Sequence, residues 1–143
     1  MRWLTIASCV IVAAGCAKSE QQAAKTSISL ADVAGTWTMR TMPQDGDSVL
    51  VTFDMVAGAD TAGWAFHFPQ REPVPVRVLA VEGDSIVTEA GPYASVLREG
   101  IQVTTHSVMR LQDGKLVGHV VARYTPAGAD SVVMLRTEGT RVP

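Results

Sequence analysis

Three histidines are the residues best able to bind a metal or move a proton in this chain of 143 residues. They are His67, His106 and His119, and the last two fall on neighbouring predicted strands of one hairpin. The hairpin register puts His119 opposite Val108, and therefore diagonal to His106 at about 7–8 Å. A shared metal would need a third ligand of predictable position, and neighbouring arginines disfavour a cation. We therefore predict solvated histidines on the outer face of the sheet and no metal site.

Other catalytic arrangements are missing from the sequence. It contains no Gly-x-Ser-x-Gly, no Gly-x-x-x-x-Gly-Lys-Ser/Thr, no His-Glu-x-x-His and no Gly-x-Gly-x-x-Gly. The acid pair Asp45 and Asp47 lies in a predicted turn, where turn chemistry explains aspartate. Catalysis needs titratable groups that converge in a pocket. The sequence therefore predicts a protein that is not an enzyme and has no cofactor.

Composition limits the classes of partner. The chain is 47% apolar and 18% charged, which favours a folded domain over a disordered, solvating chain. Its formal net charge of −2 provides no electrostatic footprint for nucleic acid, so we expect no nucleic-acid partner.

The N-terminus has the pattern of a processing signal. A positive start at Met1-Arg2 precedes an apolar run, Trp3 to Ala14, that is shorter than the roughly 20 residues needed to cross a bilayer. Ala13-Ala14-Gly15-Cys16 resembles the bacterial lipobox, which implies a signal peptide over 1–15 and lipidation of Cys16. A second candidate, Ile6-Ala7-Ser8-Cys9, leaves too short an apolar run before it. A plain secreted protein and an uncleaved anchor remain the alternatives.

Both cysteines, Cys9 and Cys16, lie in this leader region, so the domain that follows has no disulfide. Residues 16–28 are polar and lack an apolar period, which predicts a flexible tether of about 20 Å r.m.s. from Cys16 to the domain. Residue 17 is alanine and not aspartate; under the sorting rule for lipobox proteins this implies the outer membrane. The expected location is the cell envelope, lipid-anchored to the outer membrane and facing the periplasm.

Residues 29–143 read as one all-β domain after a short helical turn. Apolar and polar residues alternate between Gly, Pro and Asp punctuation, which predicts eight strands. Short connections favour antiparallel neighbours, in a barrel or a sandwich. Closure removes exposed edges, so we predict an eight-stranded antiparallel up-and-down barrel. The predicted strands are 35–41, 48–56, 62–68, 74–82, 85–90, 101–111, 115–124 and 131–138.

The pair Asp113-Gly114 predicts a two-residue hairpin turn that places Gln112 opposite Lys115. Alternation outward from this turn defines an inner face whose middle carries small residues, and small residues leave room in the lumen. An eight-stranded barrel is wide enough to be filled by side chains or to hold one small ligand. The small inner residues are Thr105, Ser107, Gly118 and Ala122.

The same alternation assigns inner residues on the first three strands. They are Trp37, Met39 and Thr41, then Val49, Val51, Phe53 and Met55, then Trp64, Phe66 and Phe68. The fourth and fifth strands leave two alternatives, since a turn at Gly83-Asp84 puts Arg77 inside and the opposite choice puts Glu89 inside. In either case one charge faces the lumen, where it needs a partner, or lies at the rim.

Gly35-Thr36-Trp37 follows the polar-capped turn Ser29-Leu30-Ala31-Asp32. A Gly-x-Trp on the first strand after a short helical turn resembles lipocalin-type barrels. The resemblance implies that Trp37 plugs one end of the barrel beneath a basic side chain from near the last strand. Arg136 and Arg141 are the candidates, and the face assignment favours Arg141.

Two function classes remain. The first is an envelope lipoprotein that binds a small apolar or amphipathic molecule in the lumen, with candidate contacts at Trp37, Trp64, Phe66, Thr105, Ser107 and Tyr124. The second is a protein-interaction module, a hydrolase inhibitor or envelope assembly factor, that uses loops 69–73, 91–100 and 125–130. An interior void above about 300 Å³ favours the first class and a filled lumen favours the second.

Overall fold

The computed structural model describes residues 27–126 and 131–143. One short helix precedes eight strands, and each strand is antiparallel to the next. The elements are α1 (Leu30–Val33), β1 (Gly35–Pro43), β2 (Val51–Ala57), β3 (Ala65–His67), β4 (Val74–Glu82), β5 (Ser85–Ala94), β6 (Gln102–Gln112), β7 (Lys115–Thr125) and β8 (Val132–Arg141).

The sheet closes on itself, which confirms the predicted barrel. β8 pairs with β1 in a ladder that runs from Trp37 opposite Arg141 to Pro43 opposite Leu135. Because the strands alternate in direction, α1 and the β4–β5 and β6–β7 turns share one end, which we call the closed end. The β1–β2, β3–β4 and β5–β6 connections share the other, which we call the loop end. Among the described residues, no helix has the length and apolar character needed to cross a bilayer.

The β6–β7 hairpin has the predicted register. Gln112 pairs with Lys115 and Met109 with Gly118, and the ladder continues without a break to Gln102. Asp113 and Gly114 both have positive φ, 53° and 78°, as a tight hairpin turn between twisted strands requires. The turn residues therefore set which side chains of both strands enter the lumen.

A short cap covers the closed end. Ser29 and Asp32 form a capping box at α1, in which each side chain accepts a hydrogen bond from the other residue's backbone N–H. Beneath it Trp37 is fully buried, and its indole Nε1 donates to the carbonyl of Val33 over 2.8 Å. The Arg141 guanidinium lies 4.3 Å from the Trp37 ring centroid. The structure therefore confirms the predicted plug and its basic cover.

Several strand boundaries differ from the predicted ones, and those of β2 and β5 change the assignment of predicted residues. β2 begins at Val51, so Val49 is not an inner residue; it lies in the β1–β2 loop with 45% of its surface exposed. The β1–β2 ladder has its last pair at Thr41 and Val51, which leaves residues 48–50 outside it. β5 extends to Ala94, so the predicted loop 91–100 is strand over its first four residues. Residues 127–130 of the predicted loop 125–130 lie outside the described residues.

Neither Arg77 nor Glu89 faces the lumen, so the two inward-facing assignments were wrong and both charges lie outside it. A β-bulge between Val78 and Ala80 adds one unpaired residue, Leu79, and reverses the alternation beyond it. Val78 therefore pairs with Thr88, while Arg77 pairs with Glu89 on the outer face, where Arg77 Nη2 and Glu89 Oε1 are 2.6 Å apart. The charges satisfy each other at the surface, and the lumen wall at this level is uncharged.

Candidate functional site

The buried apolar side chains form two clusters instead of one. The larger cluster extends from Val33 and Trp37 at the closed end to Phe68, and the smaller one contains Val103, Val120, Ala122, Tyr124 and Leu135. Tyr93 is the only partly buried side chain that packs against both clusters in the described part of the chain. A small domain usually has one contiguous core, so the division indicates a space between the clusters.

That space is a cavity in the lumen. Both clusters contribute to its wall, and it reaches the loop end at Val96 and Leu97. The volume open to the centre of a water-sized sphere is about 60 Å³. A single water needs roughly 10–15 Å³ by this measure, so the cavity is narrow but larger than a water site. The larger cluster contributes Met39, Met55, Phe66, Phe68 and Met109, and the smaller cluster contributes all five of its members.

Four of the six predicted lumen contacts line the cavity. They are Phe66, Thr105, Ser107 and Tyr124. Trp37 and Trp64 are buried but do not line it, because both lie at the closed end. The Trp64 indole donates to the carbonyl of Asp60 over 2.8 Å, which holds its ring beside the β2–β3 loop.

Four aromatic rings form one wall of the cavity. Phe53 lies 5.0 Å from Phe66 and 4.8 Å from Phe68 between ring centroids, and Phe68 stacks on Tyr93 at 5.7 Å. Tyr93 lies in the predicted loop 91–100, whose first residues are Gly91-Pro92. In the structure a register shift between Ala90 and Tyr93 lets β5 continue past Gly91-Pro92, and Tyr93 pairs with the inner residue Val103.

The polar groups of the lumen are hydroxyls. Among the described residues, the buried Oγ1 atoms of Thr88 and Thr105 have no hydrogen-bond partner. Burial raises the pKa of the Tyr93 phenol, and the nearby Thr105 hydroxyl and Arg71 charge offset part of that rise. Thr105 lies beside the Tyr93 phenol, and its hydroxyl retains the capacity to bond with a group that enters the cavity.

No cavity-lining residue in the described ranges is charged. Arg98 lies at the loop end, where its guanidinium is 3.9 Å from the ring centroid of the lining residue Tyr124. The lining can therefore solvate an apolar chain and donate or accept neutral hydrogen bonds, but it cannot pair a buried charge. It also lacks the converging acid and base that hydrolysis or proton transfer needs.

The Arg71 side chain bridges a gap in the barrel wall beside this cavity. The pairing of β4 with β5 ends at Val76 and Ala90, so the strands separate towards the loop end. Arg71 bridges the gap by donating to the carbonyls of Ala94, at 2.6 Å, and Ser95, at 3.3 Å. Tyr93 lines both the lumen and the external cleft of this gap. Arg71 therefore connects the β3–β4 loop to the end of β5, where the backbones of β4 and β5 do not pair.

The histidines lie outside this site. His119 pairs with Val108 and His106 with Val121 on the outer face, as the hairpin register predicted. Within the described residues, no three metal-ligating side chains come together. His106 Nδ1 lies 4.0 Å from a Glu89 oxygen, so its nearest acidic neighbour belongs to a surface ion pair.

Cys16, the predicted lipidation site, lies outside the described residues. No family model, no curated protein and no solved structure matches this chain.

Proposed function

We propose that this protein is a lipid-anchored envelope protein whose lipocalin-like barrel holds one slender apolar or amphipathic molecule in its lumen. The observation that carries the proposal is the division of the core into two clusters with an uncharged cavity between them. Filling that cavity with an apolar chain would make the core continuous and exclude water from both clusters.

The size of the cavity limits the shape of the ligand. Its 60 Å³ lies well below the roughly 300 Å³ at which pockets for drug-sized molecules begin, so the lumen is mostly filled by side chains and its volume favours the protein-interaction class that the sequence left open. The proposal of a lumen ligand therefore rests on the uncharged lining between the two clusters and not on the size of the cavity. Three of the lining side chains, Met39, Met55 and Met109, are unbranched thioethers that adjust readily to a new neighbour. A single alkyl chain fits such a lumen with small movements, whereas a fused-ring ligand does not.

The distribution of polar groups orients the ligand. Met55, Met109 and Phe66 lie in the part of the cavity nearer the closed end. Phe68 stacks on Tyr93 nearer the loop end, and the hydroxyls of Tyr93 and Thr105 lie on the β5–β6 side. The ligand would therefore enter with its apolar chain first. A neutral polar group would bond with Thr105, and a charged head group would remain at the loop end near Arg98.

Native mass spectrometry and lipid extraction of gently purified residues 17–143 test this proposal. Ser107→Leu introduces an apolar side chain into the cavity, and we expect it to lower the bound fraction at least tenfold without unfolding the protein. Thr52→Leu adds the same side chain on the exposed outer face of β2 and should leave binding unchanged. Failure of the wild-type chain to retain any molecule, together with no thermal shift across a panel of alkyl ligands, would refute ligand binding.

The proposed anchor gives the barrel an orientation. The described chain enters at the closed end, where the backbone N–H of Ile28 donates to the carbonyl of Gly83 in the β4–β5 turn. A tether from Cys16 therefore attaches opposite the mouth of the cavity. We propose that the protein faces the periplasm from the outer membrane with its mouth free to receive a ligand.

A protein-interaction role is the second candidate, and exposed apolar side chains at the loop end favour it. Val49, Leu50 and Leu97 are each at least 40% exposed in loops at that end. Such side chains are typical of contact sites on a rigid scaffold. Leu50→Asp, at a residue that does not line the cavity, should abolish partner capture if this role is correct, whereas Ser107→Leu should not affect it. The opposite pattern would assign the function to the lumen.

A further inference from the structure

The outer surface of the barrel differs sharply between its two sides. On β1 and β2 the outward residues near the middle of the wall are Thr38, Thr52 and Asp54, a polar set. On β6 to β8 the outward residues include four large apolar side chains, Val108, Val121, Val132 and Met134. An antiparallel sheet that faces water normally shows polar residues outward, so this side has the character of a contact surface.

The apolar residues of β6 to β8 adjoin one another. Val121 pairs directly with Met134, and Val108 lies diagonally across the β6–β7 pair from Val121. Val132 follows two residues from Met134 on the same face of β8. The exposed fractions of Val108, Val132 and Met134 are 40%, 55% and 45%. These side chains form one strip across three strands.

Basic side chains border this strip, and two of them have acidic neighbours, since Arg136 pairs with Asp47 over 3.0 Å and His106 lies 4.0 Å from Glu89. Arg123 pairs with Val132, and His119 lies between Val108 and Arg136. Arg123 has no ion pair among the described residues, and the only hydrogen bond of Arg110 there is a long one, 3.5 Å, to Gln112. We call the apolar strip together with the two arginines that have no acidic partner among the described residues the docking wall: Val108, Arg110, Val121, Arg123, Val132 and Met134.

We infer that the docking wall rests against the surface of an anionic lipid bilayer. Exposed valine and methionine can enter the headgroup boundary, and arginines without acidic partners complement lipid phosphates there. Sequence and structure favour a bilayer over a protein partner, because residues 16–28 would hold the domain within about 20 Å of a membrane. The inference depends on the proposed anchor at Cys16 only for this proximity, and it is independent of the lumen ligand.

Site-specific photocrosslinking of the full-length chain tests the inference. The chain is reconstituted into vesicles of phosphatidylcholine alone or with one quarter phosphatidylglycerol. Met134→p-benzoylphenylalanine places the photoprobe on the docking wall, and Thr52→p-benzoylphenylalanine places it on the opposite side as a matched control. Lipid adducts are counted by mass spectrometry, and the vesicle-bound fraction at high salt is measured separately. The vesicle-bound fraction tests the anchor, whereas the difference in lipid adduct between positions 134 and 52 tests the docking wall.

We expect at least five times more lipid adduct at position 134 than at 52 in the anionic vesicles, and a smaller ratio in neutral vesicles. Each basic residue near an anionic surface contributes about 1 kcal/mol, so the pair Arg110→Gln and Arg123→Gln should reduce this adduct roughly 30-fold. Arg110→Glu with Arg123→Glu reverses both charges and should act more strongly in the same direction. Equal adducts at both positions, adducts insensitive to salt and to both pairs, or adducts to protein instead of lipid would overturn the inference.

Discussion

Trp37→Ala is the substitution that most directly tests how the closed end is held. The mutation removes a side chain with no exposed surface, an indole donor to the Val33 carbonyl and the ring beneath Arg141. The cap that is left after this mutation is small, because α1 has only four residues. Arg141 provides part of the support for this cap. The Arg141 guanidinium donates to the carbonyls of Ala34, at 2.6 Å, and Asp32, at 2.8 Å.

The magnitude follows from these three losses. Truncation of a buried tryptophan to alanine costs about 3–5 kcal/mol through lost burial and the cavity that remains. An unpaired carbonyl of Val33 adds about 1–3 kcal/mol if water does not reach it. The cation–π contact adds about 0.5–1 kcal/mol at an exposed arginine. Because neighbouring losses are not additive, we expect about 5 kcal/mol in total.

Urea unfolding followed by far-UV circular dichroism measures this loss. Trp37→Phe retains a large ring but deletes the N–H donor, so it should cost about 1–3 kcal/mol and remain folded where the alanine variant is too unstable to measure. Arg141→Met removes the cation from above the ring and both donors to the cap. A double-mutant cycle between Trp37→Leu, which removes the aromatic ring, and Arg141→Met should yield a coupling energy of about 0.5–1 kcal/mol. A loss below 1 kcal/mol for Trp37→Ala would show that Trp37 is not the plug.

Three further predictions concern titration and anchoring. Since burial raises the pKa of Tyr93, its phenol should ionise above its ordinary 10.0 in an ultraviolet titration of the folded protein, and Tyr93→Phe should remove that late component; an unchanged curve would contradict the burial. Lys115 and Arg40 lower the pKa of Glu138 from 4.5, so the folded state binds fewer protons at Glu138 than the unfolded state does. These ion pairs contribute less than about 1 kcal/mol to the free energy of unfolding. This contribution is present above pH 4.5 and is lost as the pH falls through the lowered pKa of Glu138. Glu138→Gln should flatten this part of the acid unfolding profile, and an unaltered acid limb would exclude the effect. Cys16→Ser should abolish acylation and release the domain from membranes; a variant that still sediments with membranes after a carbonate wash would count against the anchor.

Local turn chemistry and alternation were sufficient to predict most of the barrel. Asp113-Gly114 has only one favoured hairpin geometry, and it determined the inner faces of β6 and β7 from Gln102 to Thr125. The lumen contacts predicted on these strands, Thr105, Ser107 and Tyr124, accordingly line the cavity. Continuous ladders make such predictions reliable because a single register error would reverse every side chain.

The errors arose where the ladder is irregular. The bulge at Leu79 reverses the faces of β4, and nothing in the residues around it distinguishes a bulge from a regular strand. Tyr93 lies in the predicted loop 91–100, yet β5 continues past Gly91-Pro92. The division of the core into two clusters depends on contacts between distant strands, such as Tyr93 with Phe68, and local patterns do not encode it.

A titration with a series of straight-chain alcohols, read by native mass spectrometry, tests the central claim most directly. A narrow apolar cavity should bind one alcohol per barrel, and each added methylene should tighten binding about fourfold, because its burial is worth about 0.8 kcal/mol. The gain should stop at the chain length that fills the space between the two clusters. Ser107→Leu should shorten that limit, and Thr52→Leu should not. Absence of binding, or an affinity that does not depend on chain length, would contradict a lumen built for an alkyl chain.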